Sequence, residues 1–193
     1  MPIYPKKCRI TVSPGFYFFL ALLILLIPLR WLFAAIISVA VHELCHIGAV
    51  RCFGYRVQAI YIGVGGTRIE APPMCIWQEL ICALAGPLGG ALLLLLSGWF
   101  PVLALCGGFH TLYNLLPVYP QDGGRALRCG ARMLLPEKWA SLLCAVIEYT
   151  CLAGIGVLGF YGTFILNVGI FPLLFAILFL WRSIKMKNTL QRD

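Results

Sequence analysis

Six apolar runs, separated by basic or turn-forming residues, dominate the pattern of this chain. They cover 15–29, 31–50, 77–100, 101–117, 139–160 and 164–181. About twenty apolar residues cross a bilayer core. The pattern therefore predicts an all-α polytopic membrane protein with about six transmembrane helices. Ser13-Pro14 marks the start of the first, with a capping residue followed by a proline at the first helical position. Basic residues before that run also suit a secretory signal. Against cleavage, no small-residue site follows, only Pro28-Leu29-Arg30-Trp31 and another span.

Two stretches break the helical pattern. From Gly54 to Glu70 the residues are β-rich and partly alternating, with Gly63-Val64-Gly65-Gly66 able to turn and Pro72-Pro73 stopping the pairing. This predicts a short membrane-associated β-hairpin. From Asn114 to Arg125 two prolines and two glycines argue for an irregular turn that aims Asp122, followed by a surface helix through Arg125, Arg128, Arg132 and Lys138. Within the third run, Gly86 and Gly90 lie four apart and would let a neighbouring helix approach closely. Pro87 between them would bend or locally unwind that helix. Arg9-Ile10-Thr11-Val12 has strand character but is short.

Composition narrows the class. Of 193 residues, 61% are hydrophobic and 11% charged, too apolar for a soluble domain. One integral membrane domain over 1–193 is expected, with no PDZ or other soluble domain. Nine cysteines are scattered without a CxxC pair, and those in apolar runs behave as small hydrophobes, so a disulfide framework is not expected. The net charge of +8 reads as topology rather than nucleic-acid binding, because it falls between the apolar runs. With six spans and a cytoplasmic N-terminus, fourteen basic residues, from Lys6, Lys7 and Arg9 through Arg182 to Arg192, fall inside and only Arg30 outside. Both termini are thus expected in the cytoplasm of a multi-pass protein, in a bacterial cell membrane.

Candidate chemistry sits in the second run, at Val41-His42-Glu43-Leu44-Cys45-His46-Ile47. Ionisable groups at membrane depth are costly and mark function by default. His42 and His46 are one helical turn apart and share a face, as two ligands of one metal ion would, with Glu43 beside them as general base. The charge topology puts both histidines in the cytoplasmic half of their span and Asp122 just past the cytoplasmic end of another. Two histidines and a carboxylate with an open fourth position suit catalytic zinc, one ion per chain, and peptide-bond hydrolysis. Iron or cobalt also suit such a set. His110 and Asn114 share a helix face; Asn114 is a candidate cavity residue, and His110 is expected in interhelical hydrogen bonding. Glu148 is either a protonated packing residue or a partner for another polar group. A rival class is a catalytically inactive metal-binding scaffold or transporter-like protein, which has no need of Glu43. A second rival is a prenyl-protein endopeptidase with HExxH, in which Glu148 or another glutamate replaces Asp122 as third ligand.

These motifs together resemble the site-2 protease family of intramembrane zinc metalloproteases. The likeness rests on His42-Glu43-Leu44-Cys45-His46, the Ala85-Gly86-Pro87 step, and Asn114-Leu115-Leu116-Pro117 through Pro120-Gln121-Asp122-Gly123-Gly124, a core of about 31–132. The start Arg9-Ile10-Thr11-Val12-Ser13-Pro14-Gly15 is similar to the branch containing stage IV sporulation protein FB, whose substrate is the membrane-tethered precursor of a sporulation sigma factor. The resemblance implies His42, His46 and Asp122 as zinc ligands and Glu43 as general base. It also implies a membrane-anchored protein substrate held by strand addition on the hairpin, where Tyr61, Gly65 and Gly66 are candidate contacts, and regulatory membrane proteins as partners. The chain departs from the family in having Gly90 where many members have Asn.

Overall fold

The computed structural model describes residues 8–190. Lys6, Lys7 and Arg192 of the charge pattern lie outside them. Contacts divide the chain into two compact units, with the boundary between Asn114 and Leu115.

The first unit begins with strand β1 (Arg9–Val12) and helices α1 (Pro14–Leu26) and α2 (Leu29–Cys52). Ser13 holds the cap position of α1, but its side chain makes no capping hydrogen bond; Pro14 alone marks the start. None of the α1 residues is buried. Helix α2 has 24 residues, which at helical rise gives about 36 Å, more than a bilayer core of about 30 Å. Its buried residues include Ala34, Ser38, His42, His46 and Val50. That four-residue spacing makes one stripe, and α2 turns it toward helices α3 (Ile76–Leu92) and α4 (Pro101–Asn114).

The expected hairpin is present as β2 (Ala59–Gly63) and β3 (Gly66–Glu70), antiparallel, with Ile60 opposite Ile69 and Tyr61 opposite Arg68. Gly66 takes φ 112°, the left-handed region that glycine enters without steric cost. The sheet has a third strand. Arg9–Val12 pairs in parallel with β2, from Arg9 beside Ala59 to Val12 beside Ile62. The sheet closes over a small apolar cluster in which Val50, Val57 and Cys82 are buried and Ile47, Phe53, Ile60 and Ile69 pack around them.

Helix α3 is not unwound at Pro87. It continues through the proline to Leu92, and its final turn tightens into a 3-10 segment at Leu93–Leu96. Thr111 of α4 donates a hydrogen bond to the Pro87 carbonyl, at 3.2 Å. Close approach of the two helices holds as the small residues suggested. A methyl group placed on Gly107 would lie 2.9 Å from the Gly90 carbonyl oxygen. Helix α4 has 14 residues, so it reaches about 21 Å and is too short to cross a bilayer as a straight helix.

The second unit holds α5 (Asp122–Leu134), α6 (Glu137–Phe164) and α7 (Phe171–Leu190). The surface helix expected from Arg125 starts earlier, at Asp122, and stops at Leu134 ahead of Pro136, which fills the cap position of α6. Helix α6 extends beyond its predicted 139–160. The sixth run, expected from 164, begins its helix only at Phe171. Asn167 and Gly169 adopt positive φ in between, and Pro172 sits in the first turn of α7. Ala131, Ala140 and Cys144 form a buried cluster joining α5 to α6.

Among the described residues three helical stretches are long and apolar enough to cross a membrane: Leu29–Cys52, Ile76–Leu96 and Glu137–Phe164. Pro14–Leu26 and Phe171–Trp181 are apolar but shorter. Large apolar side chains face outward, Phe18 and Leu25 of α1 being 76% and 82% exposed. Surfaces of that kind suit lipid rather than water.

Candidate metal centre

Helix α2 delivers two imidazoles to one point. His42 Nε2 and His46 Nε2 are 3.1 Å apart, and their rings meet edge to face with centroids at 4.7 Å. Both residues are buried, at 2% and 8% exposure. His46 Nδ1 lies 2.7 Å from the carbonyl oxygen of Cys82 on α3. A carbonyl can only accept, so Nδ1 carries the hydrogen and Nε2 of the neutral ring keeps its lone pair. That is the tautomer a metal ligand needs, held by a hydrogen bond from behind. Zinc–nitrogen bonds of 2.0–2.1 Å at tetrahedral angles put two donors about 3.3 Å apart. The observed separation is close to this.

Gly86 leaves the space in front of the pair open. A methyl group there would collide with His46 Nε2 and lie 2.7 Å from His42 Nε2. The next turn is as tight, since a methyl group on Gly89 would meet the Cys45 sulfur. Small residues on α3 thus admit the His pair at Gly86 and Cys45 at Gly89.

A third histidine joins them. The His110 ring of α4 packs edge to face on His42, with centroids 4.6 Å apart. Asn114 Nδ2 donates to the His110 carbonyl at 2.9 Å and lies 3.2 Å from His110 Nε2. The structure places His110 against the His42 ring, a contact that the shared face with Asn114 does not specify. The available signal was the count, since the chain has only three histidines and the structure gathers all three. Glu43 follows His42 on α2 and is half-buried. On the hairpin, Tyr61 is 37% exposed in the middle of β2, and Gly65 and Gly66 form the turn end.

In the second unit Asp122 is buried at the first position of α5. Its position is set by the two glycines after it. A methyl group on Gly123 would lie 2.7 Å from the Leu116 carbonyl oxygen, and one on Gly124 2.6 Å from the Val118 carbonyl carbon. Only glycine therefore lets the turn before α5 fold back on the first turn of that helix. Arg125 approaches the Asp122 carboxylate to 3.8 Å. Glu148 is also buried in this unit and accepts a hydrogen bond from Ser183 at 3.3 Å. His42 and His46 are buried in the first unit and Asp122 in the second; imidazole and carboxylate are donor types that fit zinc.

The fold is that of a site-2 protease. Superposition on the Site-2 Protease from Methanocaldococcus jannaschii gives a TM-score of 0.66, with 94% of this chain and 91% of that chain covered and 24% of residues identical. A curated relative, zinc metalloprotease MJ0392 of the same organism, is 32% identical over 125 residues, covering 55% of this chain. The match takes in 34% of that relative, so the chain spans about a third of its length. No protein-family profile matches the chain.

Proposed function

We propose that this chain is a zinc-dependent intramembrane endopeptidase. The observation that carries the reading is the facing pair of buried imidazole nitrogens, 3.1 Å apart, on a helix long enough to span a bilayer. The site-2 protease fold and the likeness to a zinc metalloprotease support it. His42, His46 and Asp122 hold one zinc ion, and the two units act as a single peptidase domain. Bound zinc supplies Lewis acidity and makes water a nucleophile near neutral pH. Glu43 takes the proton from the attacking water and passes it to the leaving amine nitrogen.

The substrate is a membrane-anchored protein cut near the cytoplasmic face, after local unwinding, because a helix ties up the carbonyls that must be attacked. In the described sheet β2 is flanked by β1 and β3, so within the hairpin β3 is the strand with an open edge for an extended substrate strand. Tyr61, Gly65, Gly66 and Asn114 are proposed substrate or cavity contacts. Six crossings with both termini in the cytoplasm of a bacterial cell match the charge pattern. A sporulation sigma-factor precursor is the proposed substrate, with regulatory membrane proteins as partners.

Glu43→Gln tests the mechanism. Expressed in cells, this variant accumulates the uncut substrate in the membrane fraction while its zinc content equals that of the wild type. Continued processing with Glu43→Gln sinks the protease mechanism and leaves a metal-binding scaffold. Asp122→Ala, measured beside it, loses zinc; full retention would remove Asp122 from the ligand set.

A further inference from the structure

The stripe of α2 that carries the imidazoles has one more polar member. Ser38 lies one turn before His42 and is 1% exposed. A serine in an apolar helix ordinarily returns its hydroxyl to the carbonyl one turn earlier. Ser38 does not, for its Oγ is buried and has no hydrogen-bond partner among the described residues. A buried hydroxyl without a partner is destabilising, so its retention at this position needs a reason.

The neighbouring histidine supplies one. His46 faces the metal position with Nε2 and anchors Nδ1 on the Cys82 carbonyl. His42 also turns Nε2 toward that position, and its Nδ1 is buried. A metal-bound imidazole holds its remaining N–H on an acceptor, which fixes the ring and raises its basicity. Helical side chains lean toward the N-terminus, which tilts a side chain at 42 back over residue 38. We propose that Ser38 Oγ is the acceptor for His42 Nδ1–H in the zinc-loaded protein, reached by rotation about χ1 or through one water. Ser38 is thus a positioning residue that acts on zinc through His42, the counterpart of the Cys82 carbonyl behind His46. The assignment rests on the zinc reading of the site.

The test uses the full chain in detergent with zinc as the only ligand. Zinc affinity is measured by competition with a fluorescent chelator, and the visible spectrum is recorded after cobalt substitution. Ser38→Ala removes a single oxygen. It is expected to weaken zinc binding 10–100-fold, the usual effect of losing such a partner, and to shift the cobalt bands. The thermal midpoint of the metal-free variant stays level or rises, because an unpaired hydroxyl is gone. A residue that merely packs would instead lower the metal-free midpoint and leave zinc affinity alone. Equal zinc affinity in Ser38→Ala and wild type overturns the proposal while the zinc reading stands. A wild-type chain that takes up no zinc overturns both.

Discussion

Gly86→Ala separates the metal site from the fold. The added methyl would sit 2.7 Å from His42 Nε2 and 2.6 Å from His46 Cε1, closer still to His46 Nε2. An ordinary contact begins at 3.4 Å, so the His42 nitrogen must retreat by about 0.7 Å. Metal–ligand distances tolerate only about 0.2 Å. The obstructing atoms are ring ends that can swing, not backbone, so the helix survives. Alanine inside a helix gains about 1 kcal/mol over glycine, which offsets part of an overpacking cost of about 1–3 kcal/mol. The net change in stability is then at most about 2 kcal/mol. Zinc affinity should fall at least 100-fold, equivalent to about 2.7 kcal/mol, because both imidazoles are displaced together. Chelator competition on the detergent-solubilised variant measures the affinity, and a thermal scan of the metal-free protein measures the fold. Wild-type zinc affinity in Gly86→Ala would refute the placement of the ion in front of the paired Nε2 atoms.

Two further changes probe the scaffold. Gly107→Ala places a methyl 2.8 Å from Leu93 Cβ and 2.9 Å from the Gly90 carbonyl oxygen. Backbone cannot swing aside, so the thermal midpoint should drop by the equivalent of about 1–3 kcal/mol; an unchanged midpoint would mean that α3 and α4 are not in close contact there. Gln121→Leu removes a buried amide whose oxygen and nitrogen both lack partners among the described residues. It should stabilise the protein by about 1–3 kcal/mol, and a lowered midpoint would show that the amide is satisfied.

The hairpin and the His pair were legible because each depends on near neighbours. Two strands joined by Val64-Gly65 have few ways to pair, and residues four apart on a helix share a face whatever surrounds them. Pairing of Arg9–Val12 with β2 was not legible, since it joins segments about fifty residues apart and four residues of strand propensity name no partner. The spacing of His110 and Asn114 on one helix face names no partner on another helix. Only the crossing of α2 and α4 at small residues puts the His110 ring on His42. The break after Phe164 is weakly marked in the sequence, because Asn167 and Gly169 are isolated within an otherwise apolar run.

By itself, then, the sequence determined the apolar helical character, the turns at glycine and proline, and the chemical identity and spacing of the donors on α2. These follow from composition, dihedral sterics and helical period, all of which act over a few residues. The tertiary structure alone decided which face of α2 is buried, where Gly86 leaves room for a metal, and which carbonyl orients His46. It also decided that Ser38 lies dry on the same stripe as His42. Those features depend on the distance and angle between helices, which are set by the summed packing of side chains far apart along the chain.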